Sequence, residues 1–316
     1  MNHIIYFDEV AHKYSDNFGN PFTSTTTIVD KYAEHFDTKG MVDRCYRAGL
    51  KGNPKYAGKT RKMIAAEWKK RNTDSLVAGT KEHDYLEVAT KAAGSYHRVQ
   101  SKLRPLQIYT IQDVIDNKRL GVLDLNSPKL LEIKDRYPYI YMTFEVLHAH
   151  GYRILSEVGV YDIHWLVTGM IDILVIKDDK FKIVDWKTNN DDIRFDAGYW
   201  EHDKDYNVTG FRSQFKKMKM PISNLDDSVG NHYALQLSVY ARLVENFGLT
   251  NTGINLYHLR KFNYGEGNPL MLGNDWANLP QANVWKMPYL KTDVERMLEH
   301  HVRKEIMTEQ GQLMIH

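Results

Sequence analysis

With a single cysteine, Cys45, in 316 residues, the chain has no intramolecular disulfide framework, no four-cysteine zinc site and no cysteine-ligated iron–sulfur cluster. An excess of one charge is missing too. The 42 lysines and arginines face 40 aspartates and glutamates, so affinity for a polyanion has to come from local patches rather than the net +2. No run approaches 18 apolar residues, and the opening MNHIIYFDEV lacks a basic region leading into an apolar stretch, so the expectation is an intracellular protein with no membrane segment. Repeats and low-complexity tracts are also lacking. At 42% hydrophobic and 26% charged, the composition is that of an ordinary globular chain long enough to bury a large core.

The stretch GMIDILVIKDDKFKIVDWK, residues 169 to 187, carries the strongest local signal. Two β-branched apolar runs flank Asp178-Asp179, which predicts a hairpin. A turn centred between those aspartates sets Ile176 against Phe181, Leu174 against Ile183, Asp172 against Asp185 and Met170 against Lys187. All eight then share one face. Two carboxylates directly opposed repel each other, and a divalent cation with oxygen ligands is one way to neutralise them, with Lys187 adding positive charge beside it. An odd-length turn is the alternative; it slips the register by one and separates the aspartates onto opposite faces.

Along the chain, residues 1 to 30 read as short strands ending in PFTSTTTIVD, where the β-propensity of Ser24 to Thr27 is preferred to a phosphate-binding role. Residues 31 to 72 read as helical and basic, either a phosphate-facing helix or a solvated surface. A helix from Thr73 to Ala93 puts Gly79, His83 and Glu87 on one side; taken alone, His83 is as well explained as a core histidine. Residues 97 to 136 give no clear assignment. A helix over 139 to 150 and a strand YRILSEVGVYD containing Glu157 precede the hairpin. The polar segment 188 to 227 alternates Arg212, Lys216, Lys217 and Lys219 with Phe211, Phe215 and Met218, which suits either a strand-tracking groove or a surface loop. A helix over 228 to 247 presents the stripe Val229, Tyr233, Gln236, Tyr240, Leu243. A strand GINLYHLRKF and a final amphipathic helix follow.

Taken in order, GTKEH on a helix, Glu157 on a strand, GMID and DWKT on the hairpin, and Gln236 four before Tyr240 resemble the PD-(D/E)XK nucleases, in their RecB-like exonuclease branch. HKYSDNFGNPFTSTTTIV is similar to the opening of phage exonucleases of this type. The resemblance spans about residues 73 to 260. It implies an α/β fold, a central mixed β-sheet flanked by helices as in restriction endonucleases. Around this core it leaves an N-terminal β/helical arm over 1 to 72 and a C-terminal extension over 261 to 316. Segment 188 to 227 is longer than in compact members and reads as an inserted DNA clamp. Carried over, the resemblance makes His83, Asp172, Asp185 and the Trp186 main-chain carbonyl metal ligands. Lys187 orients or helps activate the attacking water, and Glu157 supports the metal shell or a second ion. Gln236 and Tyr240 buttress the site and touch DNA, and Thr188 bonds a phosphate. Ile171 departs from the proline of the family name. The absent cysteine cluster excludes the iron–sulfur subtypes.

Oxygen ligands with one imidazole favour Mg2+ or Mn2+. The expected activity is a metal-dependent DNA exonuclease with a single-strand preference, acting in recombination, repair or replication in the cytoplasm of a bacterial or phage-infected cell, with possible replication or recombination partner proteins. The alternatives are a flap endonuclease, or a catalytically silent DNA-binding subunit of the same fold.

Overall fold

The computed structural model describes residues 3–8, 10–94, 106–188, 193–203, 208–258 and 284–310. The chain opens with three short strands, β1 (Ile5–Asp8), β2 (Lys13–Asp16) and β3 (Pro21–Ser24), joined as an antiparallel meander. The Ser24 to Thr27 run does not continue the strand as its propensity suggested. The Ser24 side chain accepts from the Thr27 amide and starts helix α1 (Thr25–Tyr32), so a local cap outweighs β-propensity. Helix α2 (Thr38–Leu50) follows, capped by Asp37, and then α3 (Arg61–Ala93), capped by Thr60. The expected break near residue 72 is absent: α3 is one helix of 33 residues.

Strand β4 (Leu106–Gln107) and helices α4 (Ile111–Asp116) and α5 (Pro128–Arg136) lie in the region left unassigned from sequence, and α6 (Pro138–Ala149) is the helix expected over 139 to 150. Three long strands form the centre: β5 (Arg153–Asp162), β6 (Val167–Lys177) and β7 (Lys180–Lys187). A two-stranded ribbon, β8 (Gly198–His202) and β9 (Val208–Ser213), lies within the polar segment. Helix α7 (Val229–Glu245), capped by Ser228, leads to β10 (Thr250–His258), which lies parallel to β7; β11 (Val284–Lys286) pairs with β10 and α8 (Lys291–Gln310) closes the description. The part of the expected strand beyond His258 and most of the stretch expected to be irregular lie outside the described residues.

Among the described residues the main sheet has nine strands, in the order β11-β10-β7-β6-β3-β2-β1-β4, with β5 also on β6. Parallel and antiparallel pairings are mixed, and helices cover both faces. On one face Leu155, Leu174, Ile176, Phe181 and Ile183 pack with residues of α1, α7 and α8. On the other, Ile154, Ile173, Val175, Val184 and Trp186 pack with residues of α3, α5 and α6. Burial on both faces explains the consecutive apolar residues Ile173 to Ile176 in β6 and Ile183-Val184 in β7, which do not alternate with polar ones. Strand β3 pairs directly with β6 (Thr23 with Val167, Ser24 with Thr168), so the N-terminal strands extend the main sheet. No helix among the described residues is long and apolar enough to cross a membrane.

Candidate metal centre

The β6–β7 hairpin has the even register: Ile176 opposes Phe181, Leu174 opposes Ile183 and Ile173 opposes Val184. Asp178 takes a left-handed φ of 54°, which an aspartate in a tight turn tolerates. The ladder does not extend to the expected pairs Asp172 with Asp185 and Met170 with Lys187. Beyond Ile173 the strands part, and the Trp186 amide donates to the Asp172 side chain, Oδ2, at 2.9 Å instead. Further along the same edge of β6, β3 pairs with Val167 and Thr168. The sheet therefore forks, with β7 on one branch and β3 on the other.

Asp172 stands in that fork, and the opposite edge of β6 is interrupted at the same level. The β5–β6 ladder pairs Ser156 with Ile173 and Val158 with Ile171 but skips Glu157 and Asp172. Glu157 has φ 53°, a left-handed conformation that costs a non-glycine residue about 1–3 kcal/mol. The register is the same on either side of the gap, so Glu157 and Asp172 still stand opposite one another beside the fork. Helix α3 delivers His83 there. Ligand atoms of His83, Glu157 and Asp172 lie within 4.8 Å of one another, with His83 Nδ1 at 3.5 Å from Asp172 Oδ2. All three residues are half-buried.

Asp185 lies next to this group but is not part of the triad. It is 1% exposed, and Lys187 Nζ is 2.6 Å from its Oδ2. That contact is an ion pair lying off the hydrogen-bond direction; neither carboxylate oxygen has a hydrogen-bond partner among the described residues. Buried carboxylate oxygens without donors are rare, since each forfeits its hydration. Burial, and next the Asp172 charge, push the Asp185 pKa up to about 7 against the pull of Lys187. Burial by itself would depress Lys187, but the carboxylates of Asp185 and Asp172 outweigh it and hold its pKa above that of an ordinary lysine. Lys187 is therefore fixed as a cation and donor, not a proton acceptor.

Helix α7 walls the other side. Tyr240, 4% exposed, packs against Gly169, where an added Cβ would stand 2.4 Å from Tyr240 Cε1 and 2.9 Å from Thr25 Oγ1. Gln236 Nε2 donates to the Tyr240 hydroxyl at 3.0 Å. Both residues buttress the fork; Tyr240 is too buried to offer a surface to a nucleic-acid backbone. On the α3 side, a Cβ on Gly79 would be 3.0 Å from Thr188 Oγ1, so the glycine lets the helix cross close over the end of β7. Trp186 pairs with Tyr257 of β10 and packs its ring against it, centroids 5.3 Å apart.

The basic–aromatic residues of segment 188 to 227 are not gathered into one groove. Lys216 pairs with Asp227 at 2.7 Å, Lys217 with Asp226 at 2.5 Å and Arg212 with Glu201 at 3.4 Å, while Met218 is 2% exposed in the core. The Lys219 amide donates to the Tyr32 carbonyl, tying the segment to α1. Two neighbours of the site escaped the sequence reading. Tyr233, on the same stripe of α7 as Gln236 and Tyr240, has its ring centroid 5.1 Å from Lys187 Nζ; its spacing was the available signal. His258, 1% exposed, pairs with Lys187 across β7 and β10, and no local pattern marks it.

The donor set fits a divalent cation. Two carboxylates and one imidazole converge, and a third carboxylate, Asp185, is buried beside them with Lys187 at one oxygen. No protein-family model matches the chain, and no curated protein matches it.

Proposed function

We propose that this protein is a metal-dependent deoxyribonuclease of the PD-(D/E)XK type, an exonuclease that prefers single-stranded ends. The observation that carries this reading is the convergence of His83, Glu157 and Asp172 within 4.8 Å at a fork in the sheet, beside the buried Asp185–Lys187 pair. His83, Glu157 and Asp172 would hold one Mg2+ or Mn2+, and Asp185 would turn a bare oxygen to it. When bound, the cation supplies charge neutralisation for a phosphodiester and lowers the pKa of water. Lys187, held as an ammonium, adds a fixed positive charge and orients a water or phosphate oxygen. Gln236, Tyr240 and Gly169 keep α7 against the fork, so these groups have little freedom to drift.

The test is incubation with end-labelled linear single-stranded, duplex, flap and closed circular DNA in Mg2+, Mn2+ or chelator. Release of nucleotides from linear single strands, only with metal, supports the reading. Equal cutting of closed circles overturns the exonuclease claim, and salt-sensitive binding without turnover in any metal overturns the enzyme.

A further inference from the structure

Charge is distributed very unevenly along the chain. Residues 38 to 73, which span α2 and the first half of α3, hold eleven lysines and arginines against two acidic residues, or +9; with +2 overall, the remainder carries −7. Helix α3 links this region to the fork, because its C-terminal part carries His83 and its N-terminal half packs against α2. From Lys69 to Val77 every residue is exposed, including Leu76 at 63% and Val77 at 51%. Nine consecutive helical residues open to solvent on all sides have no packed apolar stripe to hold them helical, the situation expected of a helix that reaches toward a partner. Stepping back from His83 at 100° per residue, the same side of α3 carries Gly79, Leu76, Asn72, Lys69, Ala65 and Lys62. Among the described residues neither Lys62 nor Lys69 forms an ion pair, whereas Arg61 and Arg47 are both held by Asp43.

We propose that α3 with α2 is a basic arm on which the outgoing single DNA strand lies, its phosphates on Lys69 and Lys62 while its end occupies the fork. At 1.5 Å per residue these lysines stand about 20 and about 30 Å from His83 along the helix. The small and apolar side chains between them leave room for bases and offer apolar contact. This assignment rests on the nuclease reading for the identity of the polyanion, and it replaces segment 188 to 227 as the main electrostatic track, since Lys216 and Lys217 there are neutralised by Asp227 and Asp226.

The experiment measures binding of a fluorescent 30-nucleotide single strand in chelator across a salt series, for the intact protein, Lys62→Gln/Lys69→Gln, and the off-face pair Lys70→Gln/Arg71→Gln. Each phosphate contact on a single strand contributes a slope of about −0.7 in log affinity against log salt, so the on-face pair should flatten the slope by roughly 1.4 and weaken binding about ten- to thirtyfold near 0.1 M salt. The off-face pair should leave the slope within about 0.3 of the intact protein, a bound set by the loss of less than half a contact. All four side chains are exposed, so thermal melting should be unchanged and will expose a folding defect if one occurs. Equal slopes for the intact protein and the on-face pair, or equal losses for both pairs, overturn the arm. Cleavage by the intact protein with no slope change refutes the arm and keeps the nuclease; arm-dependent binding with no cleavage in any metal does the reverse.

Discussion

Asp185 is the residue whose behaviour most directly tests the site. With metal chelated, its carboxylate is buried with Lys187 at one oxygen, and burial and the Asp172 charge push its pKa from 3.8 up to about 7. An acid that holds its proton more tightly when folded makes stability fall as pH rises: between about pH 4 and pH 7 the unfolded chain has released the proton and the folded one has not. At about 1.4 kcal/mol for each tenfold change in proton affinity, that window is worth roughly 4 kcal/mol, with the loss complete above pH 7. Asp185→Asn removes the titration while keeping the shape. Chemical denaturation in chelator should therefore show the variant gaining on the wild type by up to about 4 kcal/mol between pH 4.5 and pH 8. The attraction of Lys187 is already contained in the pKa of about 7 and acts only once Asp185 ionises, so it adds no separate offset. Adding Mn2+ at pH 8, at a hundred times its dissociation constant, should recover about 2.7 kcal/mol for the wild type and less for the variant, which lacks one of the anchors, so the gap narrows. A gap independent of pH would refute the buried-carboxylate reasoning; equal Mn2+ stabilisation of both proteins would refute the ligand role.

His83→Ala should shift the Mn2+ titration of cleavage to higher concentration by about 10- to 100-fold or more, with partial rescue at saturating metal; an unchanged titration removes His83 from the site. Gly169→Ala forces Tyr240 and Thr25 apart, since its Cβ would lie within 2.4 Å of the tyrosine ring, and should cost about 1–3 kcal/mol by thermal melting together with a loss of cleavage. Gly253→Ala, whose nearest contact is 3.9 Å, is the control and should melt within about 1 kcal/mol of wild type. Lys216→Ala should lower stability by about 1–2 kcal/mol, because Asp227 loses a cation while largely buried, and should leave the salt slope of DNA binding unchanged.

Most of the sheet was legible because its signals are local. The apolar runs on either side of Asp178-Asp179 defined β6 and β7, and their even register followed from a two-residue turn. Gly151 and Gly248, both at positive φ, stand just past the helices read over 139 to 150 and 228 to 247. The length of α3 was not legible, because its exposed middle has no apolar period to connect the basic half with the half that packs on α5. The neutral pairing of Lys216 and Lys217 was equally hidden: the aspartates that hold them come nine or more residues later, round a loop whose course depends on Met218 and Ile222 entering the core.

The site itself shows where periodicity stops being informative. Alternation with an even turn placed Asp172 and Asp185 opposite one another in a continuous ladder, where a divalent cation was one way to neutralise them. In the fold the ladder ends one residue earlier, Asp172 takes the Trp186 amide, and Asp172 joins Glu157 and His83 while Asp185 takes Lys187. Two sequence-distant causes produce this division. Strand β3 takes β6 at Val167 and Thr168, which steers the N-terminal end of β6 away from β7. The left-handed Glu157 then breaks the β5 ladder at the same level. Across β5 and β6 the unchanged register sets Glu157 against Asp172 on one face, so the two carboxylates meet through a strand pairing that the β6–β7 hairpin alone does not reveal. The imidazole comes from α3, which no strand periodicity announces, and left-handed backbone at Glu157 is strain of the kind found where geometry serves a site rather than the core.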